Sequence, residues 1–177
     1  MARYAALLRG VNVAGNKLAM SDLVRLVEGL GGRDVRTYLQ SGNVVLESRA
    51  KPESVRRQVE GVIAGRFGLE IAVVVRTKAE LAAVVWRNPH RRDATDPKRY
   101  QVTFLSKKLS AKVVRELEEA AAPGERVVVE GREVYAWHAE GIARSKLWSK
   151  LAAKSLGVTA TSRNWSTVEA LLELTGG

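Results

Sequence analysis

The sequence predicts an α+β protein built from two βαββαβ units, and three observations carry that expectation. Along its 177 residues, apolar runs of strand length alternate with longer stretches whose apolar residues recur every three or four positions. Two tight polar turns, one around "QSGN" at 40–43 and one around Gly131, each separate a pair of strand-like runs. The order strand, helix, strand, strand, helix, strand is completed once before residue 87 and repeated after residue 99.

The elements follow in order. "RYAALLRG" (3–10) is a short apolar run ending in a Gly-rich loop, hence a strand. "MSDLVRLVEGLGG" places Leu23, Leu26, Val27 and Leu30 at helical spacing, with Ser21 as the expected N-cap and Gly31–Gly32 as the stop. "DVRTYLQ" and "NVVLES" are strands joined by the first hairpin. "KPESVRRQVEGVIAGRFG" is an amphipathic helix with Pro52 near its start and Val55, Val59, Val62, Ile63 and Phe67 on one face. "EIAVVVRT" is a strand, and "AELAAVVWRN" an extra helix stopped by Pro89. The stretch 88–98, "NPHRRDATDPK", has two prolines and mixed charges and reads as a linker.

In the second half "RYQVTFLS" is a strand, and "SAKVVRELEEAAA" a helix capped by Ser110 with Val113, Val114 and Leu117 inward. "ERVVVEG" and "REVYAWH" form the second hairpin, "GIARSKLWSKLAAKSLG" a helix ended by Gly157, and "VTAT" a short strand. A terminal helix covers about 164–175, with Ser166 and Glu169 at capping-box spacing. Such units read as two ferredoxin-like sheets packed into one compact protein: residues 1–87 with the extra helix, and 99–177 with the terminal helix. "YAALL" and "IAVVV" are apolar on both faces, so the face of the sheet away from its helices should be covered too.

Composition narrows the chemistry. There is no cysteine, which excludes disulfides, thiolate zinc and a cysteine nucleophile. His90 and His138 are the only histidines, too few for an all-histidine zinc site, and no metal or cofactor is expected. No stretch approaches the ~20 apolar residues of a membrane span, and "MARYAALLRGVNV" lacks the features of a signal peptide, so a soluble cytoplasmic chain is expected. The net charge of +10 suits a polyanionic partner, although an Arg-rich proteome would produce the same excess.

In a βαββαβ sheet of order 4-1-3-2 the first strand ends at the edge where the second turns into the third. "RGVNVAGNK" (9–17) should therefore lie beside "QSGN" (40–43), bringing Arg9, Asn12, Asn16 and Lys17 to Gln40, Ser41 and Asn43. The first stretch also leads into a helix N-terminus, which favours anions. Gly and Asn equally serve turn geometry, so the same residues fit a purely structural role. The spacing is neither a Walker loop nor GxGxxG.

These loops and the late stretch "TSRNWSTV" carry a family resemblance. "LLRGVNVAGNK…M", "TYLQSGNVVLES" and "TSRNWSTV" resemble, in the same order and over almost the whole chain, a mostly bacterial family described as a domain of unknown function, number sixteen ninety-seven. Val11 stands for the usual isoleucine, Ala14 for a glycine and Leu46 for an aromatic; Ala14 makes its loop stiffer. The resemblance implies a compact α+β protein of ferredoxin-like character and carries over no catalytic residues.

Three further features bear on function. Lys146, Lys150 and Lys154 fall at i, i+4, i+8 of an expected helix with Arg144 nearby, a candidate phosphate track or an ordinary solvated face. Tyr135 and Trp137 alternate onto one side of a strand, either as a stacking surface for bases or as buried rings. In "TSRNWST", Arg163 and Asn164 could complete the rim, or Trp165 could anchor the last helix with Asn164 or Ser166 as its cap.

Catalytic chemistry finds little support. Ser41 and Ser162 have no base in their motifs; His90 reads as solvated and His138 as a sheet-edge residue. Acids occur only at the margins of the motif loops, as Asp22 and Glu47. The leading expectation is a binding protein for an anionic ligand, nucleic acid or nucleotide, at a rim formed by Arg9, Asn12, Lys17, Gln40, Ser41, Asn43, Arg163 and Asn164. One alternative is an enzyme using the same rim, by positioning and charge, on a small phosphorylated or carboxylated substrate. The other is an interaction module whose motifs only secure the fold. Nucleic acid or an anionic small molecule is the expected partner, a membrane is not, and a monomer or homodimer is expected.

Overall fold

The computed structural model describes residues 1–13 and 15–176. Ala14, where the loop was expected to be stiffened, lies outside the described residues. The chain forms two compact units, one of Met1–Ala83 with the chain from Ala170 onward, the other Val84–Glu169. The stretch 88–98 is bound into the second of these. Tyr100 Oη donates to Asn88 Oδ1 at 2.9 Å, His90 Nε2 donates to the Tyr135 carbonyl at 3.0 Å, and Trp165 N donates to the Pro97 carbonyl at 3.2 Å. The end of the chain is held in the first unit, where Lys78 Nζ donates to the Gly176 carbonyl.

The first unit contains β1 (Ala2–Leu8), α1 (Met20–Gly29), β2 (Arg33–Tyr38), β3 (Asn43–Ser48), α2 (Pro52–Phe67) and β4 (Val73–Thr77), followed by α3 (Lys78–Arg87), which passes into the second unit. Its antiparallel sheet has the order β2-β3-β1-β4. Ala6, Leu8, Val44, Leu46, Val73 and Val75 face Leu23, Val27, Val55, Val59 and Ile63 of the helices in one core. Ala5, Leu7, Val45 and Val74, on the alternate positions, are buried as well, so the sheet is covered on both faces as the unbroken apolar strands require. Ser21 does not cap α1. The helix begins at Met20, itself buried, after an extended Ala19 with no side-chain cap. Gly68, in the left-handed region at φ 64°, terminates α2.

The second unit repeats the arrangement with β5 (Tyr100–Leu105), α4 (Ala111–Ala120), β6 (Arg126–Glu130), β7 (Glu133–Trp137), α5 (Lys146–Ala152) and β8 (Ala160–Asn164), in the antiparallel order β6-β7-β5-β8. α6 (Trp165–Leu174) follows β8 directly. Ser110 caps α4 by accepting from Val113 N at 3.3 Å. Leu105, Leu117, Val134, Ala136, Leu147, Leu151 and Leu156 build the core on the helix side.

Two local expectations change here, for the helix over 141–157 and for the last strand, while Tyr135 and Trp137 take the buried one of their two readings. The long helix expected over 141–157 is interrupted: Ala153 is extended, and Lys154–Leu156 forms a single 3-10 turn. The reason lies in the leucines. Five residues along a continuous helix turn a side chain ~140° away, so unbroken α-helix would swing Leu156 off the face of Leu151, whereas both are buried. The last strand runs three residues past "VTAT" because "TSRN" pairs with β5, Gln101 opposite Asn164 and Val102 opposite Arg163. Tyr135 and Trp137 are buried at 0% and 7% exposure and offer no stacking surface. Among the described residues no helix is long and apolar enough to cross a membrane.

Candidate functional site

The first unit joins two loops at one edge of its sheet. Leu8 N, at the end of β1, donates to the Gly42 carbonyl at 2.9 Å, and Leu7 lies opposite Asn43 in register. Asn12 links the loops through its side chain. Its amide nitrogen donates to the carbonyls of Leu18 and Gln40, and its Oδ1 accepts from Leu18 N at 3.0 Å. Asn16 Nδ2 closes the same loop onto the Gly10 carbonyl at 3.3 Å. Every polar atom of the Asn12 side chain is therefore bonded within the protein, and Asn12 latches the two loops together.

Asn43 is fully buried, with its amide donating to the Tyr38 carbonyl at 2.9 Å and to Ser41 Oγ at 3.0 Å. It too serves the hairpin. Asn12, Lys17, Gln40 and Ser41 are exposed, with Arg9 half-buried beside them. The stretches 9–19 and 39–43 themselves contain no carboxylate. Asp22, in the first turn of α1, offsets part of the helix dipole behind them.

Two features of this rim have no signature in the sequence. Val13 and Leu39 are more than half exposed, at 57% and 58%. Leu39 also has φ of 59°, a left-handed conformation that a bulky residue adopts at a cost of ~1–2 kcal/mol. An exposed, strained leucine between two polar loops is a feature found at binding sites.

The other candidates lie in the second unit. Arg163 is 8% exposed, on the sheet face opposite the helices, and its Nη1 donates to Thr161 Oγ1 at 2.7 Å and to the Ser162 carbonyl at 2.8 Å. Burial pushes its guanidinium down to about 10. Asn164 Oδ1 accepts from Thr167 N at 3.0 Å and so caps α6, while Trp165 stacks on Tyr100 with ring centroids 4.7 Å apart. Lys146 and Lys150 are exposed on α5, but Lys154 sits in the 3-10 turn beyond the break, so the three do not form one helical stripe.

The loops and the hairpin belong to a stretch that decides the classification. The family model described as "Protein of unknown function (DUF1697)" matches residues 1–135. The chain belongs to that family. Both rim loops fall inside the matched region and "TSRNWSTV" falls beyond it. Among solved structures, the conserved bacterial protein SP0830 from Streptococcus pneumoniae superimposes with a TM-score of 0.81 over 98% of each chain at 21% identity, a likeness of fold. No curated protein matches this DUF1697 chain.

No local motif in the sequence announces the polar cluster around His138. His138 is fully buried rather than at a sheet edge, and its Nδ1 lies 2.6 Å from Glu125 Oε2 and 3.1 Å from Ser145 Oγ. Ser145 Oγ donates to the same carboxylate oxygen at 2.7 Å and accepts from Trp148 N at 3.0 Å. Glu125 Oε1 accepts from Ala122 N at 3.0 Å. Desolvation raises the Glu125 carboxyl, but the Ala122 N–H, Ser145 and His138 together outweigh it and hold it below the ordinary carboxylate range.

Serine, histidine and glutamate are present, yet the geometry is not that of an activated nucleophile. Serine and carboxylate share one imidazole nitrogen, the serine hydroxyl is used as a helix cap, and His138 Nε2 is buried without a partner among the described residues. A cavity of about 520 Å³ adjoins this cluster, but both Glu125 oxygens on its wall are already bonded. His90 is buried as well, not solvated; its ring meets Tyr100 edge-on at 5.6 Å, and burial pushes its imidazole below the ordinary value.

Proposed function

We propose that this protein binds an anionic ligand, a nucleic acid or nucleotide, at the rim where the 9–17 and 39–43 loops meet. The observation that supports the reading most is the Asn12 latch. It holds the Lys17 loop against the Gln40 turn, so that Arg9, Lys17, Gln40 and Ser41 share one edge without a carboxylate among them. Val13 and Leu39 favour a nucleotide over a bare inorganic anion, since an exposed apolar surface beside cations accommodates a base or sugar while the cations take the phosphate. Arg163, Asn164 and the lysines of α5 are outside this core proposal; Asn164 is used as a cap and Arg163 is buried.

Binding to single-stranded RNA and to a duplex, measured at two salt concentrations, tests the reading. With Arg9 and Lys17 each meeting one phosphate, log K for single strands should fall with log salt at a slope of about −1.4. Substituting Lys17→Ala should reduce that slope by about 0.7 and weaken binding uniformly across sequences. Absence of binding at low salt, or an affinity indifferent to salt, contradicts the proposal.

A further inference from the structure

We infer that the first unit carries a second anion site, at the end of its sheet away from the rim, built to hold a small molecule by a phosphate monoester. A cavity of about 430 Å³ lies there, within the size range of small-ligand pockets. Arg33 from the start of β2, Ser48 and Arg49 from the end of β3, Gln58 from α2, and Leu30 and Met1 line it. The length of β1 separates it from the rim, about 20 Å of strand.

The charge arrangement makes this cavity unlike its surroundings. Arg3, Glu47 and Arg33 lie opposite one another across three strands. The Glu47 carboxylate goes to Arg3, at 2.7 Å from its Nη2. Asp34 takes Arg3 at 3.2 Å and Arg36 at 2.9 Å. The neighbouring acids are thus paired elsewhere, and no carboxylate bridges to Arg33 or Arg49 among the described residues. Two guanidiniums facing one concavity without a counter-ion repel each other, and a dianion relieves both. Guanidinium forks match phosphate oxygens in geometry as well as in charge.

The remaining wall groups fit the same ligand. Ser48 Oγ accepts from Ala50 N at 3.0 Å, which leaves its proton available to an anion. Near the end of α1 the carbonyls of Leu26, Val27 and Glu28 accept from the N–H groups of Leu30, Gly31 and Gly32. Leu30 and Met1 supply apolar surface for a short organic body.

Isothermal titration of the full chain with glycerol 3-phosphate, with glycerol as the uncharged control, tests the site. The pair Arg33→Gln with Arg49→Gln should weaken glycerol 3-phosphate at least about tenfold, and inorganic phosphate in parallel, because neither side chain holds the fold together. The pair Lys17→Ala with Gln40→Ala, at the rim, should change it less than about twofold, since sites this far apart act independently. No binding by the unaltered chain, or an affinity indifferent to the arginine pair, overturns the site. Overturned too is its small-molecule character if the arginine pair weakens single-stranded RNA as much as glycerol 3-phosphate. The rim proposal is read separately, from the effect of the Lys17 and Gln40 changes on RNA.

Discussion

Replacing Gly42 by alanine is expected to destabilise the first unit by about 3 kcal/mol, combining the left-handed backbone penalty with overpacking. Gly42 has φ of 79°, and a Cβ there would lie 2.8 Å from Leu8 Cβ and 3.2 Å from Val11 Cγ2. Its carbonyl receives the Leu8 N–H, so the β1 end and the hairpin cannot separate to make room without losing that bond. Gly68→Ala provides the contrast: φ is 64° but nothing lies within 4 Å of the added carbon, so the loss should be only about 1 kcal/mol. Urea unfolding of the two variants checks the difference. Equal stabilities would mean that the rim loops are not packed against β1 as closely as described.

Removal of the Glu125 side chain should have the largest effect in the second unit. Glu125→Ala leaves His138 Nδ1, the Ser145 hydroxyl and the Ala122 N–H without their shared acceptor, in a site where the Glu125 side chain is 7% exposed. A loss of about 3 kcal/mol is expected from several buried groups left unsatisfied. The acid dependence of stability follows from the same carboxylate. A carboxyl held below its unfolded value of 4.5 stabilises the fold above that value and loses the stabilisation as pH falls through the folded value. The unaltered chain should therefore weaken below about pH 4.5 by more than Glu125→Gln does. Identical acid profiles for the two proteins, followed by circular dichroism, would show that Glu125 contributes no such linkage.

The strand order and the meeting of the two rim loops were legible because both rest on local signals. Apolar alternation identifies the strands, Gly42 and Gly131 mark the hairpins, and Ser110 and Gly68 bound helices by their own chemistry. What stayed hidden depends on register and side-chain packing rather than on element type. The approach of Glu125 to His138 follows from Arg126 lying opposite Trp137 in the second hairpin, one residue earlier in one strand and one later in the other. Hydrophobic pattern alone does not set that register. The break at Ala153 is decided by where Leu156 must pack, not by any helix-breaking residue within 146–156.

The rim candidates divide on the same principle. Asn12 and Asn43 read as ligand groups because a sequence does not show whether an amide is already bonded, and the fold uses both. Leucine ordinarily signals core, so the sequence does not single out Leu39. Only its exposure and its left-handed backbone set it apart. Residue type alone points Arg163 to the rim, whereas its place on β8, at 8% exposure, follows from strand pairing that "TSRN" does not advertise.

The rim proposal is tested most directly by a backbone-amide NMR titration with a short single-stranded oligonucleotide at low salt. Concentration-dependent shifts should concentrate in residues 9–17 and 39–43, with Lys17, Gln40 and Ser41 among the largest, and should recede as salt is raised. Shifts confined to other parts of the chain, or none at all at saturating oligonucleotide, would contradict it.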